Sequence, residues 1–311
     1  MGALSLPERR LAAQGAAAWL CARAAAPVAR AAAASFASPA SAPVALALVM
    51  TGFLIPPAQY ASYARLLDEL GVRPVVIADG STLREPVSLE LGADRALAAV
   101  EREAARLGVP SSTPLVLVGH SRGGKGCAIA ASRSARAVGA MVLLDPVDAT
   151  PFEPGSALPA LRATRAPALV LGSGVGSSDC APPGANFAAF YAALAPGTPR
   201  LLGVLARAGH TQFLDDRPGL FLDVCSAGAD SDRAVGDVAR TAMAVWCTRH
   251  VPDVAERLRA PRGAGLPAQN EDCGGVVAGW RLPAGAVAAG AEVASTLQAV
   301  RFGTSVDWRA S

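Results

Sequence analysis

The sequence has few of the features that mark membrane proteins or nucleic-acid-binding proteins. Aromatic residues make up only 5% of its 311 residues. It contains no stretch of about twenty uncharged, strongly apolar residues, which a membrane-spanning helix would need, so no transmembrane span is predicted. Its 28 basic and 25 acidic residues leave a net charge of +3, too weak a single-sign field to indicate a nucleic-acid partner. These absences favour a small molecule as the partner.

The cysteines lack the close pairs that zinc sites and redox motifs need, so no metal site is predicted. Their even number permits disulfides, but a chain of this length can bury a full core without them, and their redox state stays open. The six cysteines are Cys21, Cys127, Cys180, Cys225, Cys247 and Cys273.

Residues 1–42 differ in composition from the rest of the chain. They are rich in alanine and carry Arg9, Arg10, Arg23 and Arg30 against one acidic residue, Glu8. This pattern resembles an organellar transit peptide. Two alternatives stay open: a helix packed on the domain, and a secretory signal, whose apolar core Arg23 would interrupt.

From residue 43 onward, short apolar runs alternate with longer segments of helical periodicity. Parallel strands need such crossovers, so the order predicts an α/β fold whose mostly parallel sheet has helices on both faces and binds ligands at the carboxyl ends of its strands. We assign one domain to residues 43–260 and no role to the Gly/Ala-rich extension 261–311. The predicted strands are 44–50, 73–78, 114–118, 138–144, 168–171 and 201–205, and the predicted helices are 58–70, 89–107, 123–136, 186–194 and 234–249.

The sharpest local signal is the string Gly-His-Ser-Arg-Gly-Gly at residues 119–124, between a predicted strand and a predicted helix. A serine at such a strand-to-helix turn is a nucleophile elbow, in which the cramped backbone needs small residues two positions before and after the serine. Gly119 and Gly123 meet that requirement. The pattern therefore predicts Ser121 as a catalytic nucleophile.

A serine hydroxyl needs a base to take its proton, and histidine is the usual one. The chain has three histidines. His120 would point away from the nucleophile in an elbow, and His250 follows an amphipathic helix, so both are predicted to be structural. His210 follows the last predicted strand, which matches the chain order Ser, acid, His of hydrolases with this elbow, and it is the predicted base.

The acid that orients the base should lie at a strand end between the serine and the histidine. Asp145 ends the strand after the nucleophile helix, whereas Asp179 follows the next strand in a Gly/Ser-rich stretch. We favour Asp145 and keep Asp179 as the alternative. The weaker candidates are Asp148, Asp215 and Asp216.

Ester hydrolysis also needs hydrogen-bond donors for the oxyanion. In hydrolases with this elbow these are the backbone N–H after the nucleophile and one that follows an early strand. They correspond here to Arg122 and Phe53, and Gly52 before Phe53 would let the chain turn closely over the site.

These residues resemble the chlorophyllases of plants and algae. The resemblance rests on residues 119–125, on Asp-Pro-Val at 145–147, on 172–174 with 180–182, and on 209–210 with 214–216, all in the family's order. It covers about residues 44–217 and implies an α/β-hydrolase fold. The implied triad is Ser121, Asp145 and His210, which favours Asp145 over Asp179.

The resemblance also implies a substrate and a location. Chlorophyllases cleave the phytyl ester of chlorophyll to chlorophyllide and phytol, without a cofactor. A chloroplast location is then expected, with secreted and cytoplasmic locations as alternatives, and the protein is expected to be at most peripheral to a pigment-bearing membrane. A general carboxylesterase or lipase, or a non-catalytic pigment-binding protein, are the competing functions.

One residue departs from the family pattern: Thr51 stands where a histidine is usual before the oxyanion glycine, which puts the local loop geometry in doubt. A Pro/Ala-rich segment, 148–167, is expected to form a lid. The apolar walls of the ester site are predicted to be Leu54, Ile55, Phe187 and Phe213.

Overall fold

We describe the protein from a computed structural model, which covers residues 42–80, 88–150, 154–176, 180–216, 225–259, 276–277, 280–281, 293–298, 300 and 303–310. The predicted transit peptide and Asp179 lie outside the described residues. No helix in the described ranges is both long enough and apolar enough to cross a membrane.

A seven-stranded sheet forms the centre of the molecule, in the order β2-β1-β3-β4-β5-β6-β9. The first six strands pair in parallel, and β9 pairs antiparallel with β6. The short strands β7 and β8 form a separate antiparallel pair. The strands are β1 Ala45–Met50, β2 Val72–Ile77, β3 Leu115–His120, β4 Val138–Leu144, β5 Ala168–Ser173, β6 Arg200–Leu205, β7 Val276–Val277, β8 Trp280–Arg281 and β9 Val306–Ala310.

Helices follow the parallel strands and cover both faces of the sheet, as the alternating pattern predicts. They are α1 Ala61–Glu69, α2 Leu89–Leu107, α3 Arg122–Arg133, α4 Ala157–Ala163, α5 Phe187–Ala193, α6 Asp232–His250, α7 Pro252–Arg259 and α8 Val293–Gln298. Two 3-10 turns, Pro57–Tyr60 and His210–Phe213, lie in loops at the carboxyl ends of strands.

The apolar runs are continuous because successive side chains of a strand enter opposite layers of the core. In β1, for example, Ala45, Ala47 and Val49 face one apolar cluster, while Leu46 and Leu48 face the other. Helices α1 and α6 line the first layer, and α2 and α3 line the second. The predicted α/β-hydrolase fold class is confirmed.

The sheet extends beyond residue 260, where the sequence predicts the domain to end. Strand β9 lies in the segment to which no role was assigned, and its Trp308 packs on the backbone of Gly203 in β6, where a Cβ would lie 2.5 Å from the indole ring. The five residues of β9 follow a Gly/Ala-rich stretch, and their alternation of apolar and polar side chains is too short to predict a strand from the sequence.

The structure shows the redox state of four of the six cysteines. Cys180 and Cys225 form a disulfide. Cys127 and Cys247 are buried free thiols, and burial raises the pKa of each well above its ordinary value, as expected for inert core cysteines. Cys21 and Cys273 lie outside the described residues.

Candidate active site

The candidate site lies at the carboxyl ends of β1, β3 and β4, where the strand order reverses direction. Chain order runs from β1 outward to β2 and then back across β1 to β3, so loops leaving β1 and β3 diverge and open a crevice between them. Met50 is in register with Gly119, and His120 with Leu144. The segments that follow these strands are therefore neighbours in space.

The elbow after β3 is as tight as the glycine pattern predicts. A Cβ on Gly119 would lie 2.4 Å from the carbonyl oxygen of Gly123, and a Cβ on Gly123 would lie 2.1 Å from that of Met50. The next glycine, Gly124, packs equally closely on the Pro146 ring, with 2.6 Å between its hypothetical Cβ and that of the proline. Small residues here are a steric necessity.

Three side chains from three loops meet above the elbow. The Oγ of Ser121 lies 2.9 Å from Nε2 of His210, and Nδ1 of His210 lies 2.6 Å from Oδ2 of Asp145. Asp145 is fully buried, and His210 retains only 5% of its accessible surface. The structure thus brings together the three residues for which the sequence predicts nucleophile, base and acid.

The hydrogen-bond partners determine the histidine tautomer. A carboxylate only accepts, so Nδ1 of His210 must carry the proton that it shares with Asp145. Nε2 is then left with a lone pair directed at the hydroxyl of Ser121. This is the arrangement in which an imidazole can take a proton from a serine as it attacks an acyl carbon.

Asp145 is itself held by Ser173, the last residue of β5. The backbone N–H of Ser173 donates to Oδ1 at 2.9 Å, and its hydroxyl donates to Oδ2 at 2.6 Å. Together with His210, these donors leave the carboxylate a single orientation. Sequence reasoning missed this role, although Ser173 lies in the string 172–174 that supports the family resemblance.

The candidate oxyanion donors belong to two segments next to the nucleophile, the start of α3 and the turn after β1. Arg122 is the first residue of α3, and the backbone N–H groups of the first turn of a helix have no acceptor within that helix. Phe53 lies in a turn closed by a 3.1 Å hydrogen bond from the N–H of Ile55 to the carbonyl of Gly52. Thr51, the departure from the family pattern, accepts a hydrogen bond from the N–H of Asp79 at 3.1 Å and so joins the ends of β1 and β2.

Backbone strain is concentrated at this site. Among the described residues other than glycine, only Leu54, Ser121 and Asp145 have positive φ angles, of 57°, 55° and 41°. Residues other than glycine rarely adopt positive φ because of steric hindrance from the side chain, and residues held there commonly cluster at functional sites. Here they belong to the oxyanion turn, the elbow and the acid.

The guanidinium of Arg122 makes a buried ion pair with Asp79 and lies 5.9 Å from the centre of the Phe53 ring. The Oδ2 of Asp79 is a buried atom without a hydrogen-bond partner in the described part of the chain. The pair links β2 to the start of α3, beside the two candidate oxyanion donors.

The four predicted wall residues differ in exposure. Leu54 and Phe187 are half-buried, and the Phe187 ring covers the backbone of Gly172 next to Ser173. Ile55 is buried, and Phe213 is fully buried in the first core layer with its ring 6.3 Å from that of His120. Contact of these side chains with a substrate stays a prediction.

The predicted lid segment 148–167 contains a helix, α4, that packs on α3. Asp148 fixes the start of this helix, because its Oδ1 accepts from the N–H groups of Ser156 and Ala157 at 2.8 and 2.7 Å. The buried Lys125 donates to the carbonyl of Pro154 at 2.5 Å. The described part of this segment is therefore anchored, and a covering role for it stays a prediction.

The remaining acidic candidates have other partners. Asp215 accepts from the backbone N–H and the hydroxyl of Ser62. The N–H of Asp216 bonds to Gln59. The ring of His250 packs against Trp246 at the end of α6 in a tilted arrangement, with 4.1 Å between ring centres and 50° between the ring planes.

A second residue that sequence reasoning missed holds the histidine loop. Gln212 is fully buried and accepts a 2.7 Å hydrogen bond from the N–H of Gly209. Its amide group donates to the carbonyl of Asp230 and to the carboxylate of Asp232, at 2.5 and 2.8 Å. No local motif marks this residue.

A surface cavity of about 380 Å³ lies away from the triad, between α1, α6 and residues 214–215. None of the predicted triad, oxyanion or wall residues lines it, and of the weaker acid candidates only Asp215 does. Asp215 and Arg240, which line it, are bonded to Ser62 and Asp237 respectively. We therefore place the chemistry at the elbow and not in this cavity.

The Chlorophyllase family model matches residues 104–244, a span that includes the serine, the aspartate and the histidine. The comparison with curated proteins gives no match.

Solved structures provide distant matches. A hydrolase of the α/β superfamily from Xanthomonas campestris is 19% identical, with a TM-score of 0.32 over 42% of this chain and 71% of that one. The metagenome-derived lipolytic enzymes LipS and LipT are represented by a match of 16% identity and TM-score 0.43, over 58% and 91%. Est1E from Butyrivibrio proteoclasticus is 14% identical, with a TM-score of 0.42 over 55% and 81%.

The sheet, the elbow and the family match together identify a carboxylic ester hydrolase of the α/β-hydrolase fold. Within that class, the resemblance to the chlorophyllases that the sequence predicts is confirmed by the family match.

Proposed function

We propose that this protein is a chlorophyllase-like serine hydrolase that cleaves the phytyl ester of chlorophyll. The observation that carries the proposal is the continuous hydrogen-bond chain from Ser121 through His210 to the buried Asp145, at a sterically constrained elbow. The match to the Chlorophyllase family over residues 104–244 supports the choice of substrate.

The geometry supports a two-step mechanism. In the first step, Oγ of Ser121 attacks the ester carbonyl carbon while its proton passes to Nε2 of His210. The tetrahedral intermediate then collapses, the alcohol leaves with the proton from His210, and the acyl group remains on the serine. Water repeats the sequence, with its proton taken by His210, and releases the acid.

Two groups become charged during this reaction, the carbonyl oxygen of the ester and the imidazole of His210. The negative charge on the carbonyl oxygen would be met by the N–H groups of Arg122 and Phe53, and the positive charge on His210 by the buried carboxylate of Asp145. Neither step needs a metal or a redox cofactor from the protein. Phytol is a long apolar alcohol, and the half-buried Leu54 and Phe187 are the apolar side chains proposed to receive it, beneath residues 148–167.

The experiment compares the purified full-length protein with Ser121→Ala, using chlorophyll and a short p-nitrophenyl ester as substrates. Ser132→Ala in α3 is the matched control, because its hydroxyl bonds only to the helix carbonyl of Ile129 among the contacts described. We expect chlorophyllide to form with the wild type and the control, and to be lost with Ser121→Ala.

Asp145→Asn should lower kcat by about 10³–10⁴, because it removes the carboxylate that sets the tautomer of His210.

The other outcomes separate the alternatives. Cleavage of the short ester alone, still dependent on Ser121, would contradict the proposed substrate and leave a general carboxylesterase or lipase. Absence of turnover, together with no labelling of Ser121 by a fluorophosphonate probe, would contradict catalysis and favour a pigment-binding protein.

Location is a separate proposal. The arginine-bearing, alanine-rich residues 1–42 are proposed to direct the chain to the chloroplast, where chlorophyll is found. Fusion of these residues to a fluorescent protein in plant cells tests this, and a cytoplasmic or secreted signal would contradict it.

A further inference from the structure

A chain of buried hydrogen bonds runs beneath the candidate triad and takes no part in the mechanism above. The N–H of Gly52 lies 2.9 Å from the hydroxyl of Tyr60, and that hydroxyl lies 2.9 Å from Nδ1 of His120. On the other side of the same ring, Nε2 of His120 lies 3.0 Å from the carbonyl oxygen of His210. Tyr60 and His120 each retain 1% of their accessible surface.

The direction of every bond in this chain follows from chemistry. A backbone carbonyl only accepts, so Nε2 of His120 must carry a proton. Burial lowers the pKa of His120 to about 3, so the ring is neutral and its Nδ1 is an acceptor. The hydroxyl of Tyr60 therefore donates to His120 and accepts from Gly52, and burial keeps it protonated by raising its pKa.

The chain connects three parts of the candidate machinery. Gly52 precedes Phe53 in the turn that carries one candidate oxyanion donor, and a Cβ on Gly52 would lie 3.2 Å from Nδ1 of His120 and 3.4 Å from Cβ of Ser121. His120 is the residue before the nucleophile. At the far end, the bonded carbonyl belongs to the candidate base itself, His210.

We propose that Tyr60 and His120 are positioning residues, which together set the oxyanion turn and the backbone of the base relative to the nucleophile. The proposal rests on the proposed serine hydrolase function and adds to it a role for two residues outside the triad. Tyr60 acts on the N–H of Phe53 through Gly52, and His120 acts on the imidazole of His210 through its backbone carbonyl.

The neutral state of His120 matters to the base. The two imidazole rings are 5.0 Å apart between their centres, so a positive charge on His120 would oppose the imidazolium that forms on His210 during catalysis. The carboxylate that acts on both rings is Asp145, directly after β4, which bonds to His210 and opposes the fall in the pKa of His120. The hydroxyl of Tyr60, as an obligate donor to Nδ1, favours the neutral ring.

The test compares Tyr60→Phe with a matched control, Tyr63→Phe. Tyr63 is equally buried, its ring centre is 6.5 Å from that of Tyr60, and its hydroxyl also makes a buried hydrogen bond, to the carbonyl of Phe213 at 2.7 Å. Each substitution removes one hydroxyl and keeps the ring. The measurements are kcat and KM for the short p-nitrophenyl ester, the Ki of a trifluoromethyl ketone that forms a tetrahedral adduct, and urea unfolding.

We expect Tyr60→Phe to lower kcat about tenfold with KM unchanged, because loss of an entire oxyanion donor costs about 10²–10³ in kcat and Tyr60 acts only through Gly52. The Ki of the ketone should rise by the same factor. Tyr63→Phe should leave both values within about twofold while lowering the unfolding free energy to a similar extent, because each substitution removes one buried hydrogen bond. A purely structural role would not make kcat and Ki change together.

Two substitutions of His120 provide a second measurement. His120→Gln keeps a donor and an acceptor on one flat amide, whereas His120→Leu has a similar volume and neither group. We expect the glutamine variant to retain more of kcat than the leucine variant at equal folded fraction.

The proposal is overturned if Tyr60→Phe leaves kcat and Ki unchanged, or if Tyr63→Phe causes the same loss. Wild-type protein without Ser121-dependent cleavage would instead contradict the proposed function. In that case hydrogen exchange of the Gly52 amide decides the positioning role, since faster exchange in Tyr60→Phe than in Tyr63→Phe would support it and equal exchange would overturn it.

Discussion

Gly123 occupies a position at which one added methyl group would collide with the backbone of β1. The contact is with the carbonyl oxygen of Met50, at 2.1 Å from the hypothetical Cβ, and a central strand of a sheet has little freedom to move away. The requirement arises because Ser121 must rise on a turn with positive φ between β3 and α3.

Gly123→Ala is therefore expected to destabilise the protein by about 3 kcal/mol or more and to abolish ester cleavage. Gly92→Ala is the matched control: Gly92 lies in α2, where no described atom beyond its chain neighbours and the local helix backbone comes within 4 Å of its hypothetical Cβ. Alanine there should stabilise the fold by up to about 1 kcal/mol. Urea unfolding and kcat for a short ester measure both. Wild-type stability and activity in Gly123→Ala would contradict the elbow geometry.

The pKa values of two buried or half-buried histidines, His120 and His250, predict how the free energy of unfolding depends on pH. Burial lowers the pKa of His120 to about 3 and that of His250 to about 4, from an ordinary value of 6.5. Because the folded state binds these protons less readily than the unfolded state, their contribution to stability is fully present above about pH 6.5 and is lost as the pH falls toward the folded values.

The free energy of unfolding should thus decrease below about pH 6.5, by up to about 1.4 kcal/mol per pH unit for the fully buried His120 and by less for the half-buried His250. His250→Phe, which keeps a ring against Trp246, should make this decrease shallower. Urea unfolding between about pH 7 and pH 4 measures the slope. An identical slope in the variant would show that His250 does not contribute.

At the scale of elements, the loop between β6 and α6 carries the candidate base, and its shape depends on Gln212. This side chain bridges the start of the 3-10 turn at Gly209 to Asp230 and Asp232 before and at the start of α6. His210 reaches Ser121 from a strand that is not adjacent to β3, so its loop must be held by contacts of its own.

Gln212→Met keeps the volume and removes all three hydrogen bonds, which leaves the buried N–H of Gly209 without its partner. We expect a loss of about 2–4 kcal/mol in unfolding free energy and a lower kcat, since the Ser121–His210 distance is no longer maintained. Gln59→Met is the control, because among the contacts described the Gln59 side chain makes one exposed hydrogen bond, from the N–H of Asp216, and its loss should change stability by no more than about 0.5 kcal/mol. Equal effects of the two substitutions would contradict this role.

At the scale of the whole molecule, the disulfide between Cys180 and Cys225 closes a loop with a sequence separation of 45 residues. His210 lies inside this loop, whereas Ser121 and Asp145 precede it. The crosslink therefore restrains the part of the chain that brings the candidate base to the other two residues.

Cys225→Ser is expected to lower the unfolding free energy by about 4 kcal/mol in the chain-entropy model for a loop of this length. Reductant should have the same effect on the wild type and no further effect on the variant, as measured by urea unfolding. Wild-type stability that is insensitive to reductant, with the thiols shown to be free, would contradict this contribution.

Most of the central sheet was predictable because its signals are local. Strand 138–144 and helix 89–107 have the predicted bounds, since an uninterrupted apolar run and a 3.6-residue period are properties of adjacent residues. The elbow was predictable for the same reason. In contrast, β9 was missed, because its five residues become a strand only by pairing with the edge of β6.

The nucleophile, the preferred acid and the base were candidates from motif and chain order, and the fold brings all three within hydrogen-bond distance. The sequence left Asp145 and Asp179 as alternatives, because a strand end alone does not show which carboxylate faces the histidine.

The residues that hold the site could not be read from the sequence. Tyr60 and Gln212 have no motif around them, and the string 172–174 around Ser173 does not show its contact with Asp145. Their roles come from partners far along the chain, such as the separation of 60 positions between Tyr60 and His120. Local pattern specifies which segments become strands and where a serine is exposed on a turn. Which donor meets which acceptor depends on how distant loops converge at the sheet edge, because hydrogen bonds need distances and angles that no single segment contains.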